Sequence, residues 1–261
     1  MSGYAIPLWD LPALPVAGID TAFPVRRIYC VGRNYAAHAR EMGHNPDREP
    51  PFFFAKPADS IVPNGGEIAY PVATQNLHPE IELVVALSQG GWNIPVNKAS
   101  NCIYGYGVGL DLTRRDMQGV AKDMGRPWDL SKGFDNAAPM SAIRPVSETG
   151  ILESGVITLT VNGNLRQKGD LADMIWNVSE TGILETGAIT LTVNGAPRQK
   201  GDLADMIWNV PETINYLSAL IEIKPGDLIF TGTPEGVAAI ESGDVLVGHV
   251  DGLDELQVKL T

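Results

Sequence analysis

The stretch LHPEIELVV, residues Leu77–Val85, is the most informative part of this chain of 261 residues. It continues to Leu87 as an apolar run, which predicts a buried β-strand. Within it His78, Glu80 and Glu82 occur at every second position, so their side chains leave the same face of that strand. Burying two carboxylates side by side is costly unless a cation compensates them.

Two interpretations of this pattern are open. The strand could expose this face to solvent, where carboxylates need no partner. Alternatively, Glu80 and Glu82 hold a hard divalent cation, because Mg²⁺ and Mn²⁺ take oxygen ligands at close range. The spacing alone does not choose between them, but the apolar run that follows favours burial and therefore a metal site.

Composition excludes several classes of function. Lys and Arg number 19 against 31 Asp and Glu, a net charge of −12, which disfavours a nucleic-acid or anionic-membrane partner. Cys30 and Cys102 form no disulfide framework and are expected to be reduced and buried. Neither a signal-peptide pattern nor an apolar run of membrane-spanning length occurs. We therefore expect a soluble, cytoplasmic protein.

Strand signals outnumber helix signals along the chain. The strands are expected at Arg27–Val31, Phe52–Ala55, Glu80–Leu87, Tyr104–Leu112, Asp227–Thr231, Asp244–Val250 and Glu255–Leu260, and the helices at Tyr35–Met42, Arg114–Met124 and Pro211–Ile221. No regular strand–helix alternation occurs, so the pattern predicts an α+β fold that is mainly β. Residues 1–24, rich in Pro and Ala, are expected to form an extended N-terminal arm before one catalytic domain, residues 25–261.

A tandem duplication interrupts the chain. Ser147–Val178 and Ser179–Val210 contain 32 residues each and differ at only four aligned positions. Repeat folds need about three or more units to bury a continuous core, so two copies indicate a recent duplication. Each copy contains an alternating strand that ends in Asn-Gly, a strong turn signal. Only the second copy leads into the helix Pro211–Ile221, so we expect the second copy in the core and the first as an added hairpin.

Five further polar residues have two interpretations each. His38 and Glu41, three apart on a predicted helix, are either an imidazole oriented by a carboxylate, as a general base requires, or part of a solvated helix face. Asp111 ends the run GYGVGLD and is either a turn residue or a third metal ligand. Lys56 and Lys132 stand alone in apolar settings, which is typical of surface lysines but also allows a substrate clamp.

Together these segments resemble the fumarylacetoacetate hydrolase superfamily, and within it the acylpyruvate branch that contains the fumarylpyruvate hydrolases. The resemblance extends from about Pro24 to the C-terminus. The motifs that carry it occur in the family's order and are RIYCVGRNYAAHAREMG, PPFFFAKPADS, HPEIELVVA, YGVGLDLTRRDMQ, GRPWDLSKGFD, MIWNVPETINYLS and KPGDLIFTGTPEGV. The duplication is the one departure, because the family has a single copy of that segment.

The resemblance implies a role for each matching residue. Glu80, Glu82 and Asp111 match the ligands of Mg²⁺ or Mn²⁺. The catalytic set is His38 and Glu41 on a short lid helix, with Lys132 beside the metal. Residues that line or support the substrate pocket are Arg33, Tyr35, Lys56, Arg115, Gln118 and Thr233.

The resemblance also implies a mixed β-roll fold, a homodimer and a reaction. That reaction is hydrolysis of a carbon–carbon bond in a 2,4-dioxo acid, a small dicarboxylate such as fumarylpyruvate, which yields fumarate and pyruvate. Oxaloacetate decarboxylation and isomerisation of a ring-cleavage product are alternatives that use the same metal-enolate chemistry. A metal-binding scaffold without activity is another alternative, because the duplicated segment lies near the catalytic pocket in relatives.

Overall fold

A computed structural model describes residues 3–35, 40, 50–149, 156–161, 164–170 and 187–261. The strands are β1 (Ala13–Val16), β2 (Ile19–Pro24), β3 (Arg27–Gly32), β4 (Phe52–Lys56), β5 (Ile61–Pro63), β6 (Gly66–Ile68), β7 (Leu77–His78), β8 (Ile81–Leu87), β9 (Ile103–Leu110), β10 (Thr113–Arg114), β11 (Ala138–Met140), β12 (Arg144–Pro145), β13 (Val156–Val161), β14 (Asn164–Asp170), β15 (Ala188–Val193), β16 (Ala196–Asp202), β17 (Asp227–Phe230), β18 (Val245–Val250) and β19 (Leu256–Leu260). The α-helices are α1 (Val96–Ala99), α2 (Arg115–Asp123), α3 (Asp129–Lys132), α4 (Val146–Thr149) and α5 (Val210–Leu220).

Two large sheets dominate the described part of the chain. One has eight strands in the order β4-β3-β17-β8-β9-β11-β5, with β12 paired to β9. The other has five strands in the order β16-β15-β18-β19-β6. Parallel and antiparallel pairs occur in both, so each sheet is mixed. The mainly β fold expected from the sequence is confirmed.

Strand β8 is central to the larger sheet and is buried along its whole length. Leu83 and Val85 belong to the main apolar core, together with residues of β15 such as Leu191. Val84, on the opposite face, belongs to a second core with Phe23 of the N-terminal segment. A strand buried on both faces reads as a continuous apolar run, which explains the sequence pattern after Glu82.

The N-terminal segment is more ordered than the extended arm expected from its Pro and Ala content. Strands β1 and β2 form an antiparallel hairpin whose residues Leu14, Val16 and Phe23 are buried. The signal was hidden because β2 exposes most of its residues and therefore lacks a continuous apolar stripe. The hairpin covers one face of the larger sheet through the second core.

The two copies of the duplicated segment lie in different settings. In the second copy, β15 pairs with β16 and β18 inside the five-stranded sheet. In the first copy, β13 and β14 pair only with each other within the described residues, as a separate two-stranded sheet. The expected placement of the strands, with the second copy in the core and the first as an added hairpin, agrees with this topology.

The neighbours of the second copy anchor its end. Asn34 is fully buried, and its side chain accepts a hydrogen bond from the Trp208 amide at 2.7 Å and donates one to the Trp208 carbonyl at 2.8 Å. The expected core position of the second copy places Met206, Ile207 and Trp208 inside, and Met206 and Trp208 are buried whereas Ile207 is only partly buried. Asn209 then caps α5. The end of the second copy is therefore held by Asn34 on one side and by the start of α5 on the other. The equivalent Trp176 lies outside the described residues.

Two other expectations concern cysteines and membranes. Cys30 and Cys102 are both free and buried, as expected. Among the described residues, no helix has the length and apolarity needed to cross a membrane.

Candidate active site

Three carboxylates meet where β8 begins and β9 ends. The two strands are antiparallel with Ile81 opposite Leu110, so Glu80 and Asp111 become neighbours across the sheet. The Asp111 amide donates to the Glu80 carbonyl at 2.8 Å, which fixes that register. Glu80, Glu82 and Asp111 are 5%, 2% and 0% exposed. One oxygen from each lies within 4.8 Å of the other two, so the residues match a single metal-ion site.

Two buried lysines compensate these carboxylates. Lys132, the last residue of α3, donates from Nζ to Glu80 Oε2 and Asp111 Oδ2, both at 2.6 Å. Burial lowers the pKa of Lys132, but Asp111 and Glu80 raise it more, so the ammonium stays charged. Lys56 lies 2.7 Å from Asp111 Oδ1 as an ion pair and donates to the Leu112 carbonyl at 3.1 Å. Neither is the surface lysine that its local sequence favoured.

Arg115 supplies a third cation. Its guanidinium pairs with Glu80 Oε1 and donates to Gln118 Oε1 at 2.6 Å. Arg115 Nε also lies 3.4 Å from His78 Nδ1, and His78 Nε2 is 2.8 Å from Asn76 Oδ1. Burial and the Arg115 charge lower the pKa of His78 to about 4, so this imidazole is neutral at pH 7. His78 therefore orients Arg115 and is not part of the carboxylate cluster.

The cluster fits a hard divalent cation. Burial, together with Asp111 and Glu80, raises the pKa of Glu82 well above its ordinary value, because three carboxylates repel one another in a dry site. The Gly232 amide donates to Glu82 Oε2 at 2.8 Å but carries no full charge. Asp111 Oδ1 is buried and has an ion pair without a well-aligned hydrogen bond, so it can accept a metal ion. An all-oxygen donor set is the type that Mg²⁺ and Mn²⁺ prefer.

The cluster forms the floor of a cleft. Four of the expected substrate residues line this cleft, namely Arg33, Arg115, Gln118 and Thr233. Lys56 lies beneath Asp111 and is not part of the lining. Tyr35 is also away from the lining. Its ring is buried, its hydroxyl has no hydrogen-bond partner among the described residues, and burial raises its pKa well above the ordinary value. It therefore supports the cleft from behind.

Five residues that line the cleft were not predicted from the sequence, namely Val31, Gly32, Phe54, Lys122 and Trp128. Phe54 and Trp128 form one wall, with ring centroids 5.8 Å apart. Lys122 is exposed at the mouth. The sequence does contain a signal for Lys122, because Arg115, Gln118 and Lys122 have the i, i+3, i+7 spacing of one helix face.

Gln199 of β16 was also missed, although it supports the cluster. Its Oε1 accepts from the amide of Ile81, the residue between Glu80 and Glu82, at 2.9 Å. Its Nε2 donates to Thr233 Oγ1 at 2.8 Å and to the Pro234 carbonyl at 2.9 Å. The side chain is 2% exposed. The side-chain amide of Gln199 thus connects β16, in the second copy, to the backbone between Glu80 and Glu82 and to Thr233 of the cleft lining.

The expected catalytic pair, His38 and Glu41, cannot be located relative to the cleft. His38 and Glu41, with most of the predicted helix Tyr35–Met42, lie outside the described residues. Their role remains the prediction made from the sequence.

Comparisons with known proteins agree with this fold. The chain matches the family described as fumarylacetoacetate (FAA) hydrolase C-terminal over residues 27–183 and again over 179–261. The two ranges meet at the boundary between the two copies of the duplicated segment. This is expected when a segment that the family has once occurs twice in a chain.

Individual relatives are similar over nearly their whole length. A fumarylpyruvate hydrolase of Ralstonia sp. is 38% identical over 219 residues, 83% of this chain and 97% of the relative. A mitochondrial oxaloacetate tautomerase of Arabidopsis thaliana is 37% identical over 231 residues, 88% of this chain and 89% of the relative. A similar solved structure is the crystal structure of fumarylpyruvate hydrolase from Pseudomonas aeruginosa in complex with Mn²⁺ and pyruvate. Its sequence is 45% identical to this chain, the TM-score is 0.85, and 99% of each chain is covered.

The fold and the three carboxylates define a mainly β enzyme with a candidate site for a divalent metal ion. The chain belongs to the fumarylacetoacetate hydrolase family. The assignment made from the sequence is thereby confirmed, and with it the class of hydrolases that act on carbon–carbon bonds in ketonic substances.

Proposed function

We propose that this enzyme hydrolyses the carbon–carbon bond between the acyl group and the pyruvate portion of a 2,4-dioxo acid. The proposed substrate is fumarylpyruvate and the products are fumarate and pyruvate. The observation that carries the proposal is the cluster of Glu80, Glu82 and Asp111 with Lys132 at the floor of one cleft. The similarity to fumarylpyruvate hydrolases supports the choice of substrate.

The charges of the site favour an anionic substrate. Lys56, Lys132 and Arg115 form ion pairs with Glu80 and Asp111, so three formal positive charges balance the three carboxylates although none of these cations contacts Glu82. A dication added to this balanced cluster leaves two positive charges in a buried setting. A dicarboxylic 2,4-dioxo acid carries two negative charges and restores neutrality.

The metal would be held by Glu80, Glu82 and Asp111, and we propose Mg²⁺ or Mn²⁺. When bound, such an ion supplies Lewis acidity that polarises the oxygens of a 2-oxo acid. Lys132, already hydrogen-bonded to two of the ligands, has an ammonium that would stabilise the negative charge on the departing pyruvate portion. Arg115 would hold the substrate carboxylate and Thr233 would position it.

His38, oriented by Glu41, is proposed as the general base. It would take a proton from the water that attacks the distal carbonyl. The carbon–carbon bond then breaks with its electron pair on the pyruvate carbon, and a proton delivered to that carbon completes pyruvate. The other fragment leaves as fumarate, with the water oxygen in its new carboxylate.

A turnover assay with fumarylpyruvate, acetylpyruvate and oxaloacetate tests this function. We expect equal amounts of fumarate and pyruvate from fumarylpyruvate in the presence of Mg²⁺ or Mn²⁺, and loss of turnover after chelation. The products identify the reaction, since decarboxylation of oxaloacetate releases carbon dioxide and tautomerisation releases nothing.

Oxaloacetate chemistry is the second candidate, favoured by the similarity to an oxaloacetate tautomerase. Turnover of oxaloacetate without hydrolysis of either acylpyruvate would replace the proposed function with this one. No turnover of any of the three by the metal-loaded protein would support the inactive scaffold.

Assembly and location remain predictions. We propose a homodimer, which light scattering after size-exclusion chromatography measures directly. The cytoplasmic location and the domain boundary at residue 25 rest on the sequence alone.

A further inference from the structure

Two cations at the mouth of the cleft have no carboxylate partner within the described residues. Arg33 directly follows β3, with φ at 58°, and its guanidinium lies 5.2 Å from the centroid of the Phe52 ring. Lys122 lies in the last turn of α2 and is exposed. Both line the cleft whose floor carries the carboxylate cluster. Among the described residues, neither side chain forms an ion pair.

These two cations line the same cleft. The pKa of Lys122 is lowered by partial burial of its ammonium and by the charges of Arg33 and Arg115. Arg115 is satisfied by Glu80 and Gln118, whereas Arg33 and Lys122 face open space. Like charges that no carboxylate of the described residues pairs with are stabilised by an anionic ligand.

An aromatic wall connects this mouth to the floor. Trp128 packs edge-on against Phe52 at 5.4 Å and Phe54 at 5.8 Å between ring centroids. The guanidinium of Arg33 lies over the ring of Phe52, so it adjoins the aromatic wall of Phe52, Phe54 and Trp128. A flat, unsaturated carbon chain packs well against such a surface, whereas a methyl group covers little of it.

We propose that Arg33 and Lys122 form a second carboxylate subsite, which binds the distal carboxylate of a dicarboxylic substrate whose 2-oxo acid end lies at the cluster of Glu80, Glu82 and Asp111. This inference rests on the proposed function and assigns its specificity. The subsite selects a planar, unsaturated dicarboxylic acyl chain over a short monocarboxylic acylpyruvate. Ion pairs of Arg33 and Lys122 with the distal carboxylate supply the discrimination.

The test compares Lys122→Met, which keeps the aliphatic stem without the charge, with Lys122→Arg, which keeps the charge. Lys98→Met is the matched control, because Lys98 is an exposed lysine of α1 outside the cleft. The readout is the ratio of kcat/KM for fumarylpyruvate to kcat/KM for acetylpyruvate. We expect this ratio to fall by about 10-fold or more in Lys122→Met, mainly through KM, and to recover in Lys122→Arg. An unchanged ratio in Lys122→Met overturns the subsite.

A binding measurement separates this inference from the proposed function, because it needs no turnover. Fumarate and crotonate share the same four-carbon trans chain, but only fumarate has the second carboxylate. Calorimetry with the Mn²⁺-loaded wild type should give tighter binding of fumarate, and Lys122→Met should remove the difference. If this holds while neither acylpyruvate is hydrolysed, the subsite stands and the proposed function fails. Equal binding of the two acids by the wild type contradicts the subsite.

Discussion

At the scale of single residues, the site depends on how buried carboxylates are compensated. Asp111 and Glu80 are held by Lys132, and Asp111 also by Lys56. Glu82 receives only a backbone amide from Gly232 among the contacts of the described residues. Its raised pKa shows that this amide is not sufficient compensation. A divalent ion would supply what the amide lacks.

His38→Ala should lower kcat by about 10²- to 10⁴-fold, because this is the usual contribution of a general base. The dissociation constant for Mn²⁺ should stay nearly constant, since His38 is not among the predicted ligands. Turnover and Mn²⁺ titration on the same preparation check both statements.

A parallel collapse of turnover and Mn²⁺ affinity would assign His38 a structural or ligand role instead. Glu41→Gln is a useful companion variant, because it keeps the shape of the residue that would orient the imidazole.

Sequence patterns predict the carboxylates of the cluster well and the residues that support them poorly. Glu80 and Glu82 are visible because strand alternation places them on one face before an apolar run. The contact of Lys132 with Asp111 depends on how α3 packs against the sheet, which no local pattern encodes. Gln199 reaches Ile81 across a separation of 118 residues, so its role is visible only in three dimensions.

At the scale of elements, the duplication provides an internal comparison. The segment RQKGD occurs at residues 166–170 in β14 and at 198–202 in β16. The two strands have nearly identical sequences, but only β16 belongs to the five-stranded sheet. Tertiary neighbours, and not intrinsic propensity, therefore decide which copy supports the cleft.

Gln199→Ala should reduce turnover or Mn²⁺ affinity by about 10- to 100-fold, as is typical for residues that orient metal ligands. The substitution leaves the buried Ile81 amide without its acceptor. The free energy of unfolding should fall by about 1–3 kcal/mol, the usual cost of an unsatisfied buried group. Kinetics, Mn²⁺ titration and denaturant unfolding measure these effects.

Gln167→Ala is the matched control, since Gln167 has the equivalent position in the first copy. It should change stability by less than about 0.5 kcal/mol and leave turnover at the wild-type level. Equal losses in the two variants would mean that both copies support the site. A loss confined to Gln167→Ala would reverse the assignment of the copies.

At the scale of the whole molecule, the fold tolerates an added unit. The hairpin β13–β14 forms a sheet of its own, while the two large sheets are complete without it. Surface insertions cost little because the entropy of loop closure grows slowly with loop length. The family match on both sides of residue 180 agrees with one ancestral segment present twice.

Deletion of Ser147–Val178 should leave a folded enzyme with an equal or higher free energy of unfolding. The junction is conservative, because Val146 would be followed by Ser179, Glu180 and Thr181, the same three residue types that follow it now. Denaturant unfolding and turnover of the deleted chain test this expectation. An unfolded or inactive product would show that the first copy is part of the core.

The sequence predicted the strands of the large sheets more reliably than the N-terminal segment. Regular apolar alternation marked β19, and apolar runs marked β8 and the start of β18. Strand β2 has no such pattern, because it is mostly exposed and paired on one side only. The order of strands within each sheet, which mixes parallel and antiparallel neighbours, required the structure.

Catalysis is predicted to depend on a divalent metal held by Glu80, Glu82 and Asp111. Mn²⁺ titration and fumarylpyruvate turnover are measured together for the wild type and for Glu80→Ala and Glu82→Ala. We predict one tightly bound Mn²⁺ per wild-type chain, and loss of both tight binding and metal-dependent turnover in each variant, because one ligand and one negative charge are removed. Wild-type Mn²⁺ affinity and turnover in either variant would contradict the claim.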